Sequence, residues 1–285
     1  MQVNYLEPVT MKEALSLLNK YDGKAKIIAG GTDLMLQMKN REVSTEYLID
    51  IEHIPDLDQI TFSDTEGLTI GAATTIRDLE ESDIIHRFYP VISQAAGELG
   101  SVAIRNVATV GGNLCNALPS ADTAPALIGL SATVTIAGID GKRSIRLEDF
   151  FTGTGKTALK RGEMLSNIQV PVTLPNTRGM YLKYTRSAVD LAVVGVAVVL
   201  TAGPDNVCQD IKIVLGSVAP TPLRALSAED TIKGEIIDEA IIDRCAQAAA
   251  DESHPRASSV RATPEQKKDI VKLFTAKAIR SLTAR

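Results

Sequence analysis

Two glycine pairs about eighty residues apart each close an apolar stretch, as Ala29-Gly30-Gly31-Thr32-Asp33-Leu34 and Thr109-Val110-Gly111-Gly112-Asn113-Leu114. Such pairs turn the backbone where the apolar stretch ends. Without side chains they also let it approach a bulky anion, to which the exposed amides can donate. Two loops of this kind point to a dinucleotide whose pyrophosphate is held from two sides. By itself Gly30-Gly31 reads first as a tight connection, but Thr32 and Asp33 add a hydroxyl and a helix start that suit a phosphate. The spacing is not the G-x-G-x-x-G of a Rossmann site, so that fold is disfavoured.

The second loop runs on into Asn113, Asn116, Pro119, Ser120, Asp122 and Thr123, a dense set of short polar groups in an apolar context. These are common turn formers. Read functionally, the loop amides meet phosphate and Asp122, an ionised carboxylate, accepts from a ribose hydroxyl. Gly153-Thr154-Gly155-Lys156-Thr157 imitates a P-loop, but the glycine that motif needs at position 150 is Phe150, and Lys160, Arg161 and Gly162 interrupt the helix that should follow.

Other classes are closed off by composition. The 285 residues carry a net charge of -5 and no basic stripe, which argues against a nucleic-acid partner. The first residues lack a basic region followed by an apolar one, so no secretory signal is expected. The longest apolar run, Leu191 to Leu200, falls far short of the ~20 residues of a membrane span. A cytoplasmic protein is expected. Cys115, Cys208 and Cys245 offer neither a disulfide framework nor CxxC metal spacing, and His53, His86 and His254 have no metal-spaced partners. Cys115 reads as a packing residue, and Lys267, Lys268, Lys272 and Lys277 as a solvated helix face. No acid-base set for chemistry on a substrate stands out.

Local signals divide the chain. Thr10 and Glu13 form a capping box ahead of Met11, Ala14, Leu15 and Leu18 on one helical face. Ala25 to Ala29 and Tyr47 to Asp50 read as strands, with Thr32 capping a short helix to Met38 between them. Residues 1 to about 55 thus form an α/β lobe with parallel strands. From about 56 to 175, the strand Leu68 to Ile70, a helix over Val91 to Leu99, Pro125 opening another, and a hairpin at Asp140-Gly141 describe a second lobe of antiparallel sheet with helices. Pro171 and Pro175 mark the passage into residues 176–285. There Tyr181 to Thr185, Leu191 to Thr201 and Ile211 to Ser217 form three strands, followed by helices near 238 to 251 and 264 to 282. The fold class is α+β.

Several segments together carry a family resemblance. They are the two loops with Ile104-Arg105-Asn106-Val107-Ala108, the run Pro119-Ser120-Ala121-Asp122-Thr123-Ala124-Pro125-Ala126-Leu127, Gly162-Glu163-Met164-Leu165, Lys183-Tyr184-Thr185-Arg186 with Asp190-Leu191-Ala192, and Val260-Arg261-Ala262-Thr263. The chain resembles the FAD-binding medium subunit of the molybdenum hydroxylases, the group containing xanthine dehydrogenase and aerobic carbon monoxide dehydrogenase. The resemblance runs nearly end to end. It implies a two-lobed FAD-binding domain of the PCMH/vanillyl-alcohol-oxidase type over residues 1–175, then a C-terminal domain with a three-stranded antiparallel sheet and helices.

The resemblance further implies that Ala29, Gly30, Gly31, Thr32, Asp33 and Leu34, with Thr109, Gly111, Gly112 and Asn113, wrap the FAD pyrophosphate. Asp122 would meet the ribose or ribityl side, and Leu165 and Lys183 would lie beside the isoalloxazine, where a cation stabilises the anionic reduced ring. A salt bridge on a sheet surface is the other reading of Lys183. Thr32 stands where flavin oxidases of the wider superfamily can carry a covalently linked histidine, so FAD is expected to be noncovalent. Ala103 stands where many members have glutamine, and Gln266-Lys267 where Tyr-Arg is frequent. The implied partners are a small subunit with two [2Fe-2S] clusters and a large molybdopterin subunit, in a dimer of heterotrimers, with electrons leaving FAD for NAD or another acceptor. Two readings stay open beside this one: a free-standing flavin reductase or oxidase of the same superfamily, which would need its own proton donor, and a nucleotide-binding module without flavin.

Overall fold

A computed structural model describes residues 3–257 and 260–284. The first lobe comprises β1 (Asn4–Leu6), α1 (Met11–Lys20), β2 (Ala25–Ile28), α2 (Leu34–Lys39) and β3 (Tyr47–Asp50). Its sheet is parallel, in the order β1-β3-β2. β1 has only three residues, too few for a periodic signal. Two caps differ from expectation. Thr10 Oγ1 accepts from the Glu13 amide, but the Glu13 carboxylate takes the Val9 amide instead of returning to Thr10. The N-cap of α2 is Asp33 and not Thr32, and it makes no side-chain cap bond.

The second lobe begins with β4 (Ile60–Ser63), β5 (Gly67–Gly71), α3 (Ile76–Glu81), α4 (Asp83–Phe88) and α5 (Pro90–Gly97). It continues through α6 (Val102–Arg105), α7 (Val110–Asn116) and α8 (Thr123–Gly129) to the hairpin of β6 (Thr133–Gly138) and β7 (Gly141–Arg146). After α9 (Leu147–Phe150) and a small hairpin of β8 (Phe151–Gly153) and β9 (Lys156–Thr157), β10 (Met164–Val170) closes the lobe. β10 returns between β5 and β6, which gives an antiparallel sheet in the order β4-β5-β10-β6-β7. α8 starts two residues before Pro125, which is tolerated because the first helical turn leaves its amides unpaired anyway. The P-loop imitation is the β8-β9 turn, and no helix follows it.

The remainder holds β11 (Thr177–Tyr184), β12 (Val194–Ala202), β13 (Cys208–Gly216), β14 (Leu223–Arg224), α10 (Leu226–Ile232), α11 (Glu239–Glu252) and α12 (Pro264–Thr283). The expected three antiparallel strands carry a fourth, two-residue edge strand in the order β11-β12-β13-β14. β12 is buried along nearly its whole length because its sheet is covered on both faces. Ala197 and Val199 face the core of the second lobe, while Val196, Val198 and Leu200 face the core built with α11 and α12. The alternation explains the long apolar run as a strand buried on both faces, and among the described residues no helix is long and apolar enough to cross a membrane.

The second lobe and the C-terminal sheet therefore share one core across residue 175. Contact is close. A Cβ on Gly179 of β11 would fall 2.9 Å from the Val91 side chain of α5, and one on Gly129 of α8 would fall 3.0 Å from Val199. α12 also corrects an expectation: Lys272 and Lys277 are exposed, but Lys267 is buried, and its Nζ donates to the Ser217 carbonyl at 2.8 Å.

Candidate functional site

A cleft of about 750 Å³ lies where the two lobes and the C-terminal sheet meet. Ala29, Gly30, Gly31, Thr32, Asp33 and Leu34 line it from the end of β2, Thr109, Gly111, Gly112 and Asn113 from the start of α7, Asp122 from the head of α8, Leu165 from β10 and Lys183 from β11. All thirteen residues expected at the site thus face one cavity. Its size falls in the range of ligand pockets, about 300–1,000 Å³.

The glycines have a different reason from the one expected. A Cβ on Gly30 would lie 1.6 Å from the Val107 carbonyl oxygen, and one on Gly111 would lie 2.4 Å from that of Ala72. Both are glycine because another stretch of backbone, not a ligand, occupies the side-chain position. Val107 stands just ahead of Thr109, so the two loops are clamped directly on each other. Gly31 serves conformation, at φ +66°.

The loops also differ in what they can offer an anion. The amides of Gly30, Gly31 and Thr32 have no acceptor among the described residues. Those of the second loop are committed: Val110 to Thr74 O at 3.0 Å, Gly111 to Ala72 O at 2.9 Å, Gly112 to Thr109 Oγ1 at 3.1 Å and Asn113 to Thr109 O at 2.9 Å. Free amides therefore come from the first loop, and the expectation that both supply them is corrected. Lys26, Lys160 and Arg161 line the same cleft together with Asp22, Asp33, Glu163 and Asp190, and Arg161 lies 3.5 Å from Asp22, so these cations offer local contacts to an anion and not a net positive cleft. Sequence reasoning treated Lys160-Arg161 only as a helix breaker; two adjacent cations just ahead of a glycine were the available signal.

Asp122 and Lys183 form the polar wall. Lys183 Nζ donates to Asp122 Oδ2 at 3.0 Å and to the Glu98 carbonyl at 2.6 Å, while the Tyr181 hydroxyl donates to Asp122 Oδ1 at 2.8 Å. The Lys183 and Asp122 side chains are only 2% and 4% exposed. The salt bridge is thus real, but it is buried in the cleft wall and does not lie on a sheet surface. Burial pushes the Asp122 carboxyl up to about 6, against the opposing charge and hydrogen bond of Lys183 and the hydrogen bond of Tyr181. Each carboxylate oxygen has one protein donor, which leaves acceptor capacity for a ligand hydroxyl. Gly195, paired with Lys183 across the sheet, makes the space: a Cβ there would lie 2.7 Å from the Tyr181 hydroxyl.

Tyr181 was missed, although it stands two residues from Lys183 and so on the same strand face. Other supports join the loops from beneath. Thr123 Oγ1 donates to Asn113 Oδ1 at 2.7 Å, and Gln37 Nε2 to Asn116 Oδ1 at 3.2 Å, tying α8 and α2 to α7. Arg105 grips Glu80 through Nε at 2.8 Å and Nη2 at 3.2 Å, and its Nη1 donates to the Leu99 and Gly100 carbonyls on the cleft rim.

A cleft lined by free amides, cations, apolar side chains and a buried ionic cluster, on an α+β fold without a Rossmann turn, suits a flavoprotein of the non-Rossmann kind. Residues 1–173 match the FAD binding domain in molybdopterin dehydrogenase, and residues 180–282 match the CO dehydrogenase flavoprotein C-terminal domain. The chain belongs to the family of FAD-binding medium subunits of the molybdenum hydroxylases.

Its relatives include the glyceraldehyde dehydrogenase medium chain of Sulfolobus acidocaldarius, 30% identical over 99% of this chain and 98% of the relative. The xanthine dehydrogenase FAD-binding subunit of Escherichia coli O157:H7 is 31% identical over 99% of this chain and 96% of its own length. Among solved structures, a carbon monoxide dehydrogenase chain from Hydrogenophaga pseudoflava superimposes with a TM-score of 0.95 at 31% identity, covering 99% of this chain and 97% of the other.

Proposed function

We propose that this chain carries FAD noncovalently in the cleft and relays electrons within a molybdenum hydroxylase, receiving them from a small subunit with two [2Fe-2S] clusters that is supplied by a large molybdopterin subunit. The observation that carries the reading is the one cleft gathering every expected residue, on a chain that matches the family over residues 1–173 and 180–282. The residues fit the cofactor. Free amides of Gly30, Gly31 and Thr32, with Lys26, Lys160 and Arg161, suit a pyrophosphate. Asp122 retains acceptor capacity for a sugar hydroxyl, and Leu165 supplies apolar wall.

When bound, FAD supplies the redox chemistry, and the protein contributes binding, orientation and electrostatics. The lack of an acid-base set is consistent with that division. NAD or another acceptor would take the electrons, the assembly would be a dimer of heterotrimers, and the location the cytoplasm, which three free thiols suit. Isolation of the native complex tests the reading. Expected are flavin absorbance bands, flavin released by acid precipitation, copurifying molybdenum and iron, and a mass of two heterotrimers. Flavin that stays on the precipitated chain would refute noncovalent binding, and a flavin-free chain would refute the cofactor assignment.

A further inference from the structure

Cofactor binding needs hydrogen-bond donors and apolar walls, yet this cleft also buries a carboxylate, an ammonium and a phenol together. Asp122 heads α8; Lys183 and Tyr181 reach it from β11, and Glu98, at the end of α5, is the further charged group felt there. Burial lifts the Asp122 carboxyl to about 6 against the pull of its two donors, and lifts the Tyr181 phenol well above its usual range. The side chains of Asp122 and Lys183 line the cleft, whereas Tyr181 stands behind them. A negative charge that develops beside Lys183 competes with the Asp122 carboxylate for its ammonium.

We propose that Asp122 is a proton-accepting group linked to the redox state of the cleft's occupant: it takes up a proton when the flavin is reduced and frees Lys183 to face the reduced ring. The inference rests on the FAD reading above. The balance closes. Two electrons come from the iron-sulfur partner and two protons from solvent; one proton goes to the flavin, which becomes anionic, and the other to an Asp122 carboxylate oxygen, which becomes neutral. The charge in the cleft is the same before and after, so the low-dielectric site never gains an uncompensated ion. On reoxidation Asp122 returns its proton and recovers the ion pair.

The flavin midpoint potential of the intact complex, followed spectroscopically between pH 5 and 9, tests this. Each proton taken up with two electrons contributes about 30 mV per pH unit, the tenfold step of a two-electron couple. The native complex should show a pH window in which two protons are taken up per two electrons, and Asp122→Asn only one over that window. Tyr181→Phe, which leaves every cleft-lining residue in place, removes a hydrogen bond that favours the ionised carboxylate, so it should move the start of the two-proton window to higher pH. A one-proton slope throughout the native profile, a two-proton slope retained in Asp122→Asn, or an unmoved window in Tyr181→Phe overturns the inference while leaving FAD binding intact. Should Asp122→Asn lose its flavin, Tyr181→Phe decides alone. A native complex without flavin overturns the FAD reading and this inference with it.

Discussion

Lys183 on β11 and Asp122 at the head of α8 meet at 3.0 Å across 61 residues of chain, and their ion pair is at once a wall of the cleft and a bond between the C-terminal sheet and the second lobe. A buried pair stabilises only when its remaining polar atoms are also satisfied. Here each partner has one further bond: the Tyr181 hydroxyl donates to the other Asp122 oxygen, and the Glu98 carbonyl accepts a second Lys183 proton. Cofactor binding and domain packing therefore depend on the same few atoms.

Asp122 gives the cofactor-free chain a pH dependence of definite sign. Its folded pKa, about 6, lies above the ordinary aspartate value of about 3.9. Its contribution is therefore fully present below about pH 4 and is lost as pH rises through 6. Urea unfolding at pH 4.5 and 7.5 should show Asp122→Asn losing about 1–3 kcal/mol of that pH-dependent difference. The same pH slope in both proteins would contradict the burial argument.

Gly30→Ala and Gly23→Ala separate two reasons for glycine. At Gly23, φ is +72° and nothing lies within 4 Å of an added Cβ, so the substitution costs only the left-handed conformation, about 1–2 kcal/mol. At Gly30 the added atom meets a backbone carbonyl at 1.6 Å, and neither loop can yield without parting from the other. We expect a loss of about 3 kcal/mol or more in chemical denaturation, with reduced flavin content. Equal stability of the two variants would dismiss the clamped-loop description.

Arg105 is held by two bonds to Glu80 and two to carbonyls of the cleft rim. Arg105→Ala leaves Glu80 with only Arg77 and should cost about 3 kcal/mol. Arg105→Lys should recover little, because an ammonium cannot reproduce the planar fork. Near-native unfolding midpoints for the lysine variant would show that charge alone suffices.

The three thiols should be inert in the folded chain. Burial pushes Cys115 and Cys245 up to about 12 and Cys208 up to about 11, far from the thiolate form at neutral pH. Iodoacetamide at pH 7.5 should modify all three within minutes in urea and almost none in the native chain, as read by intact mass. Cys115 lines the cleft and should be the first to react natively, with added FAD slowing it.

Much of the architecture was legible locally. The Asp140-Gly141 signal lies at the β6-β7 hairpin, and Thr10 caps α1, because turns and caps depend on residues within a few positions of one another. β1, β14 and α10 escaped notice because they are too short for a periodic pattern to rise above its surroundings. Lys267 misled for a related reason. Its charge suggests solvent, but the Ser217 carbonyl that holds it lies 50 residues away.

The sequence by itself determined which loops line the cleft, where most strands and helices run, and the family, since all of these follow from local backbone preference or from motifs read in order. Only the tertiary structure decided that Gly30 and Gly111 make room for Val107 and Ala72, that one loop alone keeps its amides free, and that Tyr181 and Lys183 both close on Asp122. Those outcomes depend on which distant segments share a volume, and that is set by the packing of α5 and α8 against the C-terminal sheet, where two glycines facing Val91 and Val199 fix how closely the layers approach.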